Sequence, residues 1–187
     1  MIEFLKNLFG ESDLDQLVRL GLKLGEGCSI QAEVFLDPSH CWHIEIGNRV
    51  TLAPRVHVLA HDASLNRVLG FTRVQRVVIG DDVFVGAGAI VLPGSRIGPR
   101  TIIGAGSVVS GDVPEAVVAA GNPCRVICTL DAFVAKHRER MREAPRFGRA
   151  YSLGAGITAE MRAEMVARMG DGPGYLTDRE SPDLPKE

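Results

Sequence analysis

The chain has 187 residues, a formal net charge of -2 and 24% charged residues. That length supports one medium domain with a real core, and so even a balance argues against nucleic acid or an anionic membrane surface as the main partner. Aromatic residues are scarce at 5%, whereas glycines number 21, an odd supply for an ordinary core.

The first segment, "MIEFLKNLF", is interrupted by Glu3 and Lys6 and lacks a small-residue cleavage site. It predicts a short amphipathic helix, not a secretion signal. No run of about 20 apolar residues follows, so no membrane span is expected. Residues 13–22, "DLDQLVRLGL", predict a second helix with Asp13 as N-cap and Leu14, Leu17 and Val18 on one face. Weak six-residue units begin at Leu24, in "LGEGCS" and "IQAEVF". An irregular stretch, "LDPSHCWHIEIG", then puts ten residues between Leu36 and Ile46, where a multiple of six would keep the register. From Ile46 the units "IGNRVT", "LAPRVH" and "VLAHDA" are regular.

The beat fails after Val58, and an insert of about residues 61–77 follows, with His61 at its root. A loop leaving a rigid scaffold is a common place for function. From Ile79 six hexads run without a gap: "IGDDVF", "VGAGAI", "VLPGSR", "IGPRTI", "IGAGSV" and "VSGDVP". Each begins with Ile or Val, most continue with glycine, and the fifth residue (Val83, Ala89, Ser95, Thr101, Ser107, Val113) is small or β-branched. A period of six fits neither a helix nor two-residue alternation. It predicts a short strand and a tight corner, repeated, with the first residue inward and glycine where a Cβ is costly. Three hexads, 18 residues, would close one triangular coil, and stacked coils would pair their strands in parallel. Asp37, about one coil before His61, would come near it by stacking.

Beyond the repeat, a helix is predicted from about Thr129 and another over "ITAEMRAEMVARMG", with Thr158 as N-cap, a packing stripe of Met161, Met165 and Met169, and Gly170 as stop. His137 is expected to be solvated, and the stretch from Gly170 to be mobile. The expected organisation is a capping region at 1–22, a repeat domain at 23–128 and a helical C-terminal region at 129–187. Cys28, Cys41, Cys124 and Cys128 form no CxxC pair, so free thiols in a reducing cytoplasm are expected, with no metal.

The hexads, together with "LDPSHCWHIEIG", "LAHDAS" and "GNPCRVIC", resemble the hexapeptide-repeat acyltransferases over roughly residues 24–143. Within them the chain is similar to the maltose, galactoside and nodulation acetyltransferases and to polysaccharide O-acetyltransferases. The resemblance implies a mostly β chain wound as a left-handed parallel β-helix, a homotrimer with sites between subunits, and transfer of acetyl from acetyl-CoA to a sugar hydroxyl. Acyl transfer to an alcohol needs a base, for which an imidazole is suited, and His61 matches the family's catalytic histidine. Asp37 and Asp62 become candidates for contact with the sugar, Asp37 alternatively for orienting the imidazole. Ala87 and Ala105 match backbone sites for the pantetheine arm. Ser110-Gly111 stands where relatives often carry Thr-Lys, Arg125 matches a basic residue near the CoA phosphates, and Cys128 replaces a further basic residue. Near Ala32–Val34 the sugar-binding Asn of galactoside-type enzymes has no counterpart. Two other readings share the fold: a metal-dependent gamma-class carbonic anhydrase, and a non-catalytic subunit.

Overall fold

The computed structural model describes residues 13–177. The helix expected at residues 1–9 and the side chain of Asp13 lie outside them. The described residues fall into two compact units that divide between Ala132 and Phe133.

The first unit is built chiefly from two- to four-residue strands that pair in parallel in three sheets. The first sheet stacks Lys23–Leu24, Ile44–Ile46, Val77–Ile79, Arg96–Ile97 and Asp112–Val113. A second stacks Ser29–Ile30, Thr51–Leu52, Phe84–Val85, Ile102–Ile103 and Val117–Ala120, and is closed by the antiparallel strand Arg125–Thr129. The third stacks Phe35–Leu36, His57–Val58, Ile90–Val91 and Val108–Val109. The chain visits the sheets in rotation, so each round is one three-sided coil. Register confirms the 18-residue turn: Val85 pairs with Ile103, and Val91 with Val109. The hexad-opening residues therefore form inward columns, and Leu52, Val58, Val85, Val91, Ile103 and Val109 are fully buried. β-Branched side chains suit such columns because they fill a pleated surface with few rotamers to lose.

The fifth hexad residues are buried as well. Where they are polar, they satisfy backbone: Ser95 donates to the Val109 carbonyl (3.1 Å), Thr101 to that of Pro114 (2.9 Å) and Ser107 to that of Gly104 (2.6 Å). Val113 departs from expectation. It pairs with Ile97 and so opens the next unit, because the corner Ser110-Gly111 is two residues short. The glycines in second position also act differently from the expected corner role. The left-handed backbone belongs to the fourth residue, as at Gly88 (φ 68°), Asp82 (φ 57°) and Arg100 (φ 55°). Second-position glycines instead admit the next coil: a Cβ on Gly86 would stand 2.5 Å from the Ala105 nitrogen.

The predicted N-terminal helix is shorter than expected, Asp13–Arg19, with Leu17 and Leu22 in the core. The helices Leu130–Glu143, which begins just before the division, and Ala159–Met169 agree with the sequence reading, and Thr158 caps the latter by accepting the Met161 N–H at 3.2 Å. The stretch after Gly170 was expected to be mobile, yet Tyr175–Leu176 pairs in parallel with Arg146–Phe147. His137 is not solvated either: it packs on Phe133 (centroids 4.5 Å) and meets the Tyr175 hydroxyl through Nδ1 (3.1 Å). Phe147 is buried beneath the Arg168 guanidinium, 4.7 Å from the ring centre.

Candidate active site

Two inserts interrupt the coils, and both leave the same corner, from the third sheet to the first. One is residues 37–43, ending in the 3-10 turn Cys41–His43; the other lies between Val58 and Val77. Because Leu36 pairs with Val58, the roots of the two inserts are stacked one coil apart. This places Asp37 against His61, although 24 residues separate them instead of 18.

The Asp37 side chain is completely buried and His61 is 32% exposed. Asp37 Oδ2 lies 2.5 Å from His61 Nδ1 and also accepts the Ala60 N–H at 3.0 Å. Its other oxygen accepts the Ser39 N–H at 3.1 Å. A carboxylate so placed only accepts, so His61 Nδ1 donates, and in the neutral ring Nε2 is left with the lone pair. Asp37 has both oxygens engaged and no exposed side-chain surface.

His40, from the first insert, brings its ring 5.0 Å from that of His61, and Trp42, half-exposed, lies 5.5 Å from His40. The sequence signal for His40 and Trp42 is their place in the irregular coil, whose insert shares a corner with the other. His57 stays apart from this cluster, on the third sheet, packed against Phe35 at 5.6 Å. One oxygen of Asp37 and one nitrogen of each of His40 and His61 lie within 4.8 Å of one another, the one such grouping among the described residues.

Asp62 bonds within the second insert. It accepts the Ser64 N–H at 2.9 Å and pairs with Arg73 at 3.3 Å. The Ser64 hydrogen bonds, aided by Arg73, hold its carboxyl below the usual range. His61–Asp62 pairs antiparallel with Arg73–Val74, so the insert is a hairpin-like excursion zipped at its base. Its return is fastened by an ion pair of Arg76 with Glu45, and its tip carries exposed Leu65, Val68, Leu69 and Phe71.

Ser110 and Arg125 come together with Cys124 in a cleft of about 160 Å³ at the far end of the coils. Ser110 follows Val109, whose column runs back through Val91 to Val58, so it sits on the His61 corner. Two ladder steps separate them, roughly 10 Å along the stack. Ala87 and Ala105 are exposed and stacked, with Gly106 N–H donating to the Ala87 carbonyl at 2.9 Å. They occupy a different corner, between the second and third sheets, and within one chain they do not join His61.

The family model described as bacterial transferase hexapeptide (six repeats) matches residues 76–111. The chain is 34% identical over 140 residues to Protein CapG of Staphylococcus aureus, covering 71% of this chain and 80% of that protein. It is 44% identical over 84 residues to the galactoside O-acetyltransferase of Lactococcus lactis, covering 45% of this chain and 39% of that protein. In structure it resembles the maltose O-acetyltransferase from Clostridium difficile 630, with TM-score 0.51 and 33% identity over 64% of this chain and 75% of that one. The chain belongs to the hexapeptide-repeat transferase family. Among its curated relatives are several of which it spans only 39% to 63% of the length.

Proposed function

We propose that the protein is an O-acetyltransferase that moves an acetyl group from acetyl-CoA to a sugar hydroxyl, with His61 as general base. The observation that carries this reading is the Asp37–His61 pair: a buried carboxylate holds Nδ1–H at 2.5 Å and leaves Nε2 free to accept a proton. His61 Nε2 takes the hydroxyl proton as the oxygen attacks the thioester carbon. The tetrahedral oxyanion then collapses, the carbon–sulfur bond breaks, and the CoA thiolate recovers the proton from the imidazolium. Attack is direct, so both substrates must be held together. Galactoside and maltose O-acetyltransferases among the similar proteins support a sugar acceptor. Trp42 offers an exposed aromatic face beside the His40–His61 pair for such a substrate.

Acetyl-CoA fits the same corner. From the region of His61 its pantetheine arm would run along the stack toward Ser110 and Arg125, where a guanidinium suits phosphate oxygens. Ala87 and Ala105 are assigned to the arm as backbone contacts; their place on another corner means that a neighbouring copy supplies them. The reading therefore includes a homotrimer with three shared sites, built on coils of left-handed winding, in a cytoplasmic setting. Asp62 acts at the root of the loop and reaches the acceptor only through that loop's position.

The test is release of free CoA thiol from acetyl-CoA with a panel of sugars. His61→Ala should remain folded and lose at least about 100-fold in turnover, the scale of a lost general base. Full turnover in that variant would overturn the assignment.

A further inference from the structure

His40 is the one described residue with a buried side-chain polar atom, Nδ1, that has no hydrogen-bond partner. Buried polar atoms are almost always satisfied, so an orphan of this kind asks what it faces. His40 stands on the insert that also carries Asp37, just before the Cys41–His43 turn, and its ring is held between those of Trp42 (5.5 Å) and His61 (5.0 Å). One donor atom from each of Asp37, His40 and His61 falls within 4.8 Å of the other two.

We propose that Asp37, His40 and His61 form a two-histidine, one-carboxylate site for a borderline divalent cation of the zinc class, and that the bound ion silences the base. Zinc bonds to imidazole nitrogen and carboxylate oxygen at about 2.0–2.2 Å, so tetrahedral ligands stand roughly 3.3 Å apart. The Asp37–His61 contact, 2.5 Å, would open by under about 1 Å to admit the ion, and the longest separation would close by about 1.5 Å. Both moves are small for side chains on two surface inserts. Three protein ligands leave a fourth position for water, and this donor set disfavours magnesium, which asks for six oxygens. Coordination through Nδ1 replaces the hydrogen bond with Asp37 and leaves the ring's one proton on Nε2, which then has no lone pair to accept another. The silencing half rests on His61 being the base; the binding half does not.

The experiment uses the untagged full chain, stripped with EDTA and titrated with zinc chloride against a chromophoric chelator. One saturable equivalent is expected. Cobalt chloride should give the visible bands of a tetrahedral ion, and magnesium chloride should not compete. His40→Gln should weaken zinc binding by more than about 100-fold, beyond the roughly 10–100-fold cost of losing an outer-shell partner. His57→Gln should retain wild-type affinity. Should His40→Gln fail to fold, ring resonances of the wild-type chain decide: zinc should shift His40 and His61 and leave His57 in place. Absence of a saturable equivalent, wild-type affinity in folded His40→Gln, or shifts confined to other histidines would overturn the site. Zinc should also abolish CoA release in step with occupancy. Full turnover at full occupancy overturns the silencing, and a chain that binds zinc but never releases CoA points instead to failure of the acetyltransferase reading.

Discussion

At the scale of single residues, the proposed base rests on the Asp37–His61 pair. Asp37 fixes the tautomer by accepting from Nδ1, and it is fixed in turn by two backbone donors, Ala60 and Ser39. Asp37→Asn can present its amide to Nδ1 the wrong way round and so favour the opposite tautomer. It should lower kcat/KM by more than about 100-fold, part of the about 10⁴-fold effect possible when an orienting carboxylate becomes an amide. CoA release measured beside a thermal melt separates this from unfolding; unchanged turnover would remove Asp37 from the chemistry. His61 was legible in the sequence because a regular beat stops there. Its partner was legible only as a neighbour by stacking, since the insert at 37–43 hides the true offset. The choice between the two roles proposed for Asp37 turns on burial and donor geometry that no spacing encodes.

At the scale of elements, the hexads were legible because each position has one physical duty, but one duty was misread. Second-position glycine was expected to turn the corner; it instead lets the adjacent coil approach. Gly86→Ala would set a methyl 2.5 Å from the Ala105 nitrogen, against backbone that cannot step aside. It should cost about 1–3 kcal/mol in chemical denaturation, as overpacking does. Gly88→Ala meets open space but keeps φ 68°, so it should cost only about 1–2 kcal/mol from left-handed backbone strain. A smaller loss at Gly86 than at Gly88 would contradict this division of labour. The insert is a separate element, zipped by His61–Asp62 with Arg73–Val74 and exposing Val68 (79%) and Phe71 (76%) at its tip. Replacing residues 65–70 with a short Gly-containing turn keeps the zipper and removes little buried surface. Activity should fall at least about tenfold while the melting midpoint moves by only a few degrees, the expectation for a low-stability functional loop. A large loss of stability with retained specific activity would make the loop structural.

At the scale of the whole molecule, the coils were legible and the second unit was only half so. Helical caps such as Thr158 announce themselves, but the two-residue strands Arg146–Phe147 and Tyr175–Leu176 are too short to leave a period. The same limit applies to assembly: a six-residue beat describes one prism, not how prisms meet. Geometry supplies the argument instead. His61 lies on one corner of the prism, Ala87 and Ala105 on another, so an acyl donor touching all three needs two copies. A rotationally closed ring uses unlike surfaces at each junction and repeats that shared site around the axis. Mixing then gives a decisive measurement. His61→Ala copies lack the base; Ala105→Trp copies carry a side chain that blocks the arm. Each alone should be nearly inactive. Unfolded together in equal amounts and refolded, they should recover about a quarter of wild-type CoA release, because a random ring pairs an intact base with an intact neighbouring corner at one junction in about four. Recovery no greater than the two separate activities would place base and arm within a single copy and break the shared-site reading.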